Sequence, residues 1–154
     1  MKVIPACVCT AVLLASCGRS PAKMPGRAND PHLATNGTVE VTAKLVEVPD
    51  GSIFERDLYD YATILKYQVV QVHRGEVKSD AIYVGHYNPW KPRAEAADRR
   101  VKGIGGRLRQ FRAGDTHRMA LDVPIDDYFM GGIVNKYFGT ETGPLYWAVW
   151  TNAE

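Results

Sequence analysis

The sequence predicts a mainly β protein: a small curled β-barrel or OB-like sandwich of about five to six strands with one short helix. Short runs of alternating apolar and polar residues recur along the chain, and turns containing glycine or proline separate them. Two of the longest runs also change phase part-way along. A strand that changes the face it buries bends sharply, as a small barrel or an orthogonal sandwich requires.

The first two predicted strands carry these phase changes. Apolar residues alternate with polar ones over Val39–Leu45, and the alternation resumes in the opposite phase, which indicates a bulge at Leu45–Val46. The run Pro49–Ser52 is a turn, since proline fixes φ and glycine accepts positive φ. A longer strand follows over about Tyr59–His73, and its apolar positions change faces at Val69–Val70. Both strands are therefore predicted to be curled.

The rest of the domain contains three more predicted strands, a helix and an irregular segment. The strands lie at Ala81–Tyr87, Thr116–Val123 and Leu145–Thr151. Pro92–Gly103 predicts the short helix, because a first-turn proline and a terminal glycine enclose the apolar positions Ala94, Ala97 and Val101. Paired glycines weaken any helix in Asp126–Phe138, so this segment is expected to be irregular and to pack aromatic side chains on the barrel.

The N-terminus predicts export and lipidation. Met1–Lys2 is a short positive start, and the apolar stretch Val3–Leu14 is too short to cross a bilayer, which needs roughly 20 apolar residues. The ending Leu14–Cys17 resembles a bacterial lipobox, in which a small residue precedes a lipidated cysteine. The resemblance implies a lipoprotein of the cell envelope, cleaved before Cys17 and anchored to the membrane by an acyl chain such as palmitate on that residue. Gly18, in place of an aspartate, favours the outer membrane in a host with two membranes.

These boundaries divide the chain into three parts. Residues 1–16 are predicted to be the signal peptide, residues 17–36 a lipidated and flexible tether, and residues 37–154 the β-barrel-like domain. Cys7 and Cys9 would leave with the signal peptide, so no disulfide is expected and the fold depends on its own core. No metal or other cofactor is predicted, because the sequence has no ligand spacing such as His-x-x-x-His.

Positive charge is concentrated in one segment of a chain whose net charge is only +2. Residues 91–118 contain nine Lys or Arg residues against three acidic ones. An anionic polysaccharide fits this segment, whereas nucleic acid does not, since the protein is predicted to be exported and its aromatic residues do not interleave with the basic ones. The candidate anion-binding residues are Arg99, Arg100, Lys102, Arg107 and Arg109. The glycine run at 103–106 lacks the context of a phosphate-binding loop and is predicted to be a flexible connector.

Two histidines and a tryptophan form the candidate pocket. His86 ends the third strand on its apolar face, His117 has the same character in the fourth, and Trp90 lies shortly after His86. Histidines that meet in space could shuttle protons or, with an aspartate, serve a small envelope hydrolase. The block Gly114–His117 resembles the Gly-Asp-Ser of SGNH hydrolases only in part, since threonine replaces serine and no downstream Asp-x-x-His supplies a base. No catalytic residue is assigned, and the hydrolase is kept as the alternative function.

The second and third strands resemble a β-hairpin region of bacterial envelope proteins found beside, or fused to, SGNH hydrolases and alginate O-acetyltransferase-like proteins. The shared pattern is an aromatic-rich strand at Tyr59–Val72, the turn His73–Gly75 and a second strand that ends in histidine at His86. The resemblance extends to about His117 and supplies no catalytic residues. It implies a companion domain in surface-polysaccharide modification or export. The predicted function is a lipid-anchored accessory or binding protein that engages an anionic polysaccharide or an SGNH- or acetyltransferase-like partner.

Overall fold

The fold is described by a computed structural model that covers residues 36–49 and 61–154. These residues form six β-strands and two 3-10 turns. The strands are β1 (Val39–Glu47), β2 (Tyr61–Arg74), β3 (Ala81–Tyr87), β4 (Thr116–Asp122), β5 (Gly132–Val134) and β6 (Leu145–Ala153). The predicted signal peptide, Cys17 and nearly all of the tether lie outside the described residues. So do most of the turn at Pro49–Ser52 and the first residues of the second predicted strand.

Five of these strands close into a barrel. Hydrogen-bonded neighbours follow the order β1–β2–β3–β6–β4 and return to β1, and every pair is antiparallel except β3–β6. This Greek-key connectivity is that of the OB-fold. The short β5 pairs in parallel with the first residues of β2, outside the five-stranded order. The mainly β, OB-like barrel predicted from the sequence is confirmed.

The curl predicted for the first two strands is confirmed by the register between β1 and β2. The register shifts between Leu45 and Glu47, where the sequence predicted a bulge. A second shift leaves Val70 as an extra residue of β2, at the predicted change of phase. These irregularities bend β2 so that its first half pairs with β3 and its second half with β1.

The barrel interior is apolar over most of its length. Alternate residues of the five barrel strands point inward, and the largest fully buried apolar ones include Leu45, Leu65, Met119 and Leu121. Leu108 and Phe111, from the long β3–β4 connection, complete this core. Burial of apolar surface contributes about 25 cal/mol per Å². The described residues contain no cysteine, so no disulfide forms among them. The burial of apolar surface is therefore what stabilises this part of the chain.

A second apolar layer lies outside the barrel wall. Residues 125–137 cross the outer face of β2, β3 and β6, where Phe129 and Tyr137 pack against the strands. The Tyr137 hydroxyl donates a hydrogen bond to Glu47 Oε1 at 2.7 Å and so fixes the segment to the end of β1. This irregular, aromatic packing is what the sequence predicted for Asp126–Phe138. As a result, the chain itself covers the part of the outer β2–β3 face formed by β3 and the first half of β2; OB barrels bind oligonucleotides and oligosaccharides through this face.

The helix predicted at Pro92–Gly103 is wrong. A single 3-10 turn forms there, at Arg93–Glu95, and the residues after it are irregular. The Asp98 carboxylate accepts the backbone N–H groups of Arg100, at 2.8 Å, and Val101, at 3.0 Å. These side-chain bonds give the backbone a partner that competes with a helix.

The glycine run at 103–106 is part of the sheet edge, so the flexible connector predicted from the sequence is also wrong. The Gly105 N–H donates to the Val149 carbonyl at 2.8 Å, and the Gly105 carbonyl accepts the Thr151 N–H at 3.1 Å. Gly106 has a φ of +122°, and a Cβ at that position would overlap the Thr151 backbone. The run therefore extends the sheet along β6 beyond the residues that pair with β3.

Candidate functional site

A groove of about 580 Å³ opens between two connections of the barrel, beside β6. Residues 100–103 of the β3–β4 connection form one wall, and residues 128–131 of the β4–β6 connection form the other. Sites for small ligands usually enclose roughly 300–1,000 Å³. The groove is therefore large enough for one or two sugar rings or a ligand of similar size.

The floor of the groove is aromatic. Tyr87, Phe129 and Trp147 line it, and each is almost fully buried. The rings of Phe129 and Trp147 stack with their centroids 4.9 Å apart and their planes 10° apart, and Tyr87 packs against Phe129 at 5.6 Å. Rings that interlock in this way form a preorganised floor, which reduces the entropy lost on binding.

The rim carries two of the five candidate anion-binding residues. Arg100 and Lys102 line the groove with exposed side chains. One acidic residue, Asp122, also lines it, and its carboxylate accepts the Thr38 N–H at 2.9 Å. On the other wall Tyr128 is 46% exposed and Met130 is 93% exposed. The groove therefore presents cationic and apolar groups side by side.

Asp98 fixes the cationic wall to the aromatic floor. Its carboxylate, which accepts the two backbone N–H groups described above, also accepts the Tyr87 hydroxyl at 2.9 Å. The hydrogen bond from the Val101 N–H is the main reason that the pKa of Asp98 lies below its ordinary value, so this residue stays charged. Sequence reasoning missed both Asp98 and Tyr87. An aspartate two residues before Arg100 is the local signal of such a turn and could have identified Asp98.

The other cations of the predicted basic segment lie elsewhere. Arg99, Arg107 and Arg109 are exposed but do not line the groove. Arg93 is 3% exposed, and Arg118 Nε donates to Glu40 Oε1 at 2.8 Å across the β1–β4 pair. Of the five candidate residues, Arg100 and Lys102 are the two that the structure brings together in the groove.

A second groove, of about 470 Å³, lies between the β2–β3 hairpin and residues 142–144. Glu76 and Lys78 both line it, so its charges are balanced, and Tyr83 and Tyr146 contribute apolar surface. This groove lacks the pair of cations that distinguishes the first one.

His86 and His117 meet inside one end of the barrel. Each is at most 1% exposed, and the Tyr67 hydroxyl lies between them, 3.1 Å from His86 Nε2 and 3.3 Å from His117 Nδ1. The Phe111 ring packs on both imidazoles, with centroid distances of 4.6 Å to His86 and 5.6 Å to His117. The guanidinium of Arg93 lies over the Phe111 ring, 5.7 Å from its centroid. The two histidines of the candidate pocket therefore belong to a packed interior cluster.

The surroundings of this cluster keep both histidines neutral. Burial lowers the pKa of His86 well below its ordinary value, with a further contribution from Arg93, and lowers the pKa of His117 to about 4. The Tyr67 hydroxyl can donate to one imidazole and accept from the other, and His86 Nδ1 and His117 Nε2 have no hydrogen-bond partner among the described residues. Neither ring hydrogen-bonds to a carboxylate among the described residues, whereas a hydrolytic base is oriented by one in Ser-His-Asp triads.

Trp90 is not part of this cluster. It is partly exposed, and the Lys91 Nζ lies 4.8 Å from its ring centroid. The other tryptophans, Trp147 and Trp150, are both buried on β6, so neither offers an open ring face for a sugar. The exposed aromatic ring at the groove is instead that of Tyr128.

The described residues contain neither a candidate metal centre nor a candidate membrane-spanning helix. Within residues 36–49 and 61–154, no group of three or more His, Cys, Asp or Glu side chains is arranged to hold a metal ion. In the same part of the chain, no helix has the length and apolar character needed to cross a membrane.

No protein-family model, curated protein or solved structure matches the chain. The geometry of the groove is therefore the basis for a proposal of function.

Proposed function

We propose that this protein is a binding module, and not an enzyme, that holds an acidic oligosaccharide in the groove between residues 100–103 and 128–131. The observation that carries the proposal is the position of Arg100 and Lys102 beside the exposed ring of Tyr128, above an aromatic floor. Aromatic rings pack against the apolar face of a sugar, and cationic side chains form charge-assisted hydrogen bonds with carboxylates. A uronic acid presents both features on one ring.

Charge and exposure support an anionic ligand. Lys102 makes no ion pair in the part of the chain that the structure describes, so its charge is available to a ligand. Nucleic acid, which OB barrels bind on the β2–β3 face, is a poorer candidate because residues 125–137 cover β3 and the first half of β2 on that face. The alternative function, a small envelope hydrolase, receives no support from His86 and His117, since both are buried and neither contacts a carboxylate.

The proposed setting is the cell envelope. The sequence predicts a lipid anchor at Cys17 and a tether between that anchor and the barrel, both of which lie almost wholly outside the described residues. A tethered module that holds an acidic chain would assist enzymes that modify or export surface polysaccharide, including SGNH- or acetyltransferase-like partners. In this proposal the barrel supplies binding, and its partners supply the chemistry.

Two double variants with the same change in charge test the proposal. Arg100→Ala/Lys102→Ala removes both groove cations, and Arg107→Ala/Arg109→Ala removes two exposed cations of the same connection outside the groove. Isothermal titration with alginate oligosaccharides is expected to show about tenfold weaker binding for the groove variant, because two charge-assisted hydrogen bonds are lost. The control variant is expected to bind within about twofold of the wild type at physiological salt, where distant exposed charges are screened.

Two results would contradict the proposal. Equal losses in the two double variants would mean that general positive charge, and no particular groove, attracts the polysaccharide. An absence of binding by the wild-type protein would remove the proposed ligand class altogether.

A further inference from the structure

We infer that the acidic sugar held in this groove is carried by a lipid, so that the ligand is the headgroup of an anionic glycolipid at a membrane surface. The inference rests on the proposed function and adds a role for Met130, which enters the lipid beside the bound headgroup. Three groups of the groove carry it: the cations, the Tyr128 ring and the Met130 side chain.

Met130 is the most exposed large apolar side chain of the described residues. Its neighbour Phe129 points the other way and is buried against Trp147 in the groove floor. The following Gly131 lies so close to the Phe129 ring that a Cβ there would overlap it. The backbone is therefore held in a conformation that buries one side chain and leaves the next projecting from the rim.

A single exposed apolar residue needs no explanation, but the position of this one is informative. Met130 and Tyr128 line the same groove as Arg100 and Lys102. Cations beside a projecting apolar side chain are the combination by which peripheral proteins bind anionic lipid surfaces. The charge and the apolar tip of this groove are complementary to such a surface.

The first described residues before β1 lie beside this rim. The Thr38 N–H donates to Asp122, which also lines the groove, so the segment that leads into β1 joins the barrel beside it. The predicted tether between Cys17 and this point would span roughly 25 Å as a flexible chain. If Cys17 is lipidated as the sequence predicts, a tether of this length would allow the domain to reach lipid headgroups.

Among the ligands that the groove could take, an anionic glycolipid engages all three groups. A free acidic polysaccharide would occupy the cations and the Tyr128 ring but leave Met130 in water. An anionic phospholipid would engage the cations and Met130 but offer no sugar ring to Tyr128. An acidic sugar on a diacylglycerol supplies the anion, the ring and the apolar environment together.

Binding to vesicles of different lipid composition distinguishes a glycolipid ligand from a free polysaccharide and from a phospholipid. All proteins carry Cys17→Ser, which removes the predicted acylation site, and binding to plain phosphatidylcholine vesicles is subtracted. Cosedimentation is measured with phosphatidylcholine vesicles that contain glucuronosyl diacylglycerol and with vesicles of equal charge that contain phosphatidylglycerol. Binding of soluble glucuronate oligosaccharide is measured in parallel. The glycolipid vesicles are expected to bind about tenfold more tightly than the phosphatidylglycerol vesicles.

The variants distinguish the role of Met130 from that of the cations. Met130→Ser is expected to weaken glycolipid-vesicle binding by about tenfold and to leave soluble-sugar binding unchanged, because only the vesicle offers apolar surface. Phe138→Ser is the matched control, since Phe138, beyond β5, is 85% exposed but does not line the groove. Arg100→Ala/Lys102→Ala is expected to weaken binding to both the vesicles and the soluble sugar.

Equal vesicle affinities for the wild type and Met130→Ser, or phosphatidylglycerol vesicles that bind as tightly as the glycolipid vesicles, would overturn the lipid inference. Either result would leave the proposed function standing if soluble sugar still binds through the cations. If the wild-type protein does not bind the soluble sugar at all, the proposed function itself would be overturned.

Discussion

Asp98 determines where the two groove cations lie. Its carboxylate holds the backbone at Arg100 and Val101 and also accepts the Tyr87 hydroxyl from the end of β3. The charge pattern of the sequence was sufficient to include Arg100 and Lys102 among five candidate residues. It could not show which of the five share a groove, because that depends on a hydrogen bond between residues on different elements.

Acid is expected to destabilise the domain through His86 and His117. The pKa of each is lowered in the folded protein, that of His117 to about 4, whereas the ordinary pKa of histidine is 6.5. Below pH 6.5 the unfolded chain therefore binds more protons than the folded one. The free energy of unfolding should fall with decreasing pH by about 1.4 kcal/mol per pH unit for each histidine. Denaturant titrations at pH 7 and pH 5, largely above the titration of the carboxylates, will measure the effect.

His117→Asn provides the matched variant for this experiment. Asparagine keeps a polar group near the position of Nδ1, which contacts Tyr67, but does not titrate. The variant should lose the His117 contribution to the pH dependence and keep that of His86, together with that of His73, whose pKa burial also lowers. A wild-type free energy of unfolding that stays constant between pH 7 and pH 5 would contradict the assignment of two buried, neutral histidines.

The strands were predictable from the sequence at the scale of elements, whereas the β3–β4 connection was not. Period-two alternation located β3 at Ala81–Tyr87 as observed, and the change of phase located the irregularity at Val70. The spacing of Ala94 and Ala97 is typical of the apolar face of a helix, but in the structure both residues are exposed and no α-helix forms there. Contacts with other elements shape this connection: the hydrogen bond from the Tyr87 hydroxyl to Asp98 and the pairing of the glycine run with β6.

A pair of glycine substitutions tests the pairing of this connection with β6. Gly106→Ala should lower the free energy of unfolding by about 3 kcal/mol, because the added Cβ meets the Thr151 backbone and the residue has positive φ. Gly103→Ala is the control: its φ is also positive, at +76°, but nothing lies within 4 Å of an added Cβ. The control should cost about 1–2 kcal/mol, from backbone strain alone. Equal denaturation midpoints for the two variants would contradict the close approach of residue 106 to β6.

On the scale of the described domain, the chain itself covers part of the outer β2–β3 face, which is the face that OB barrels use for binding. Residues 125–137 bury the outer surface of β3 and of the first half of β2, and the groove lies at the edge of that cover, against residues 100–103. The barrel class could be predicted because alternation and bulges are local properties of the sequence. The groove could not be predicted from the sequence, because its two walls belong to connections that meet only in the folded barrel.

Mapping of ligand contacts by nuclear magnetic resonance tests whether the groove beside β6 is the ligand site. Alginate oligosaccharide is titrated into isotope-labelled protein, and changes in amide, methyl and indole signals are assigned to residues. We expect the largest changes at residues 100–103 and 128–131 and at Trp147, with little change at His86 or His117. Changes centred on the second groove, around Lys78 and Tyr83, or spread over Arg107 and Arg109, would contradict this expectation.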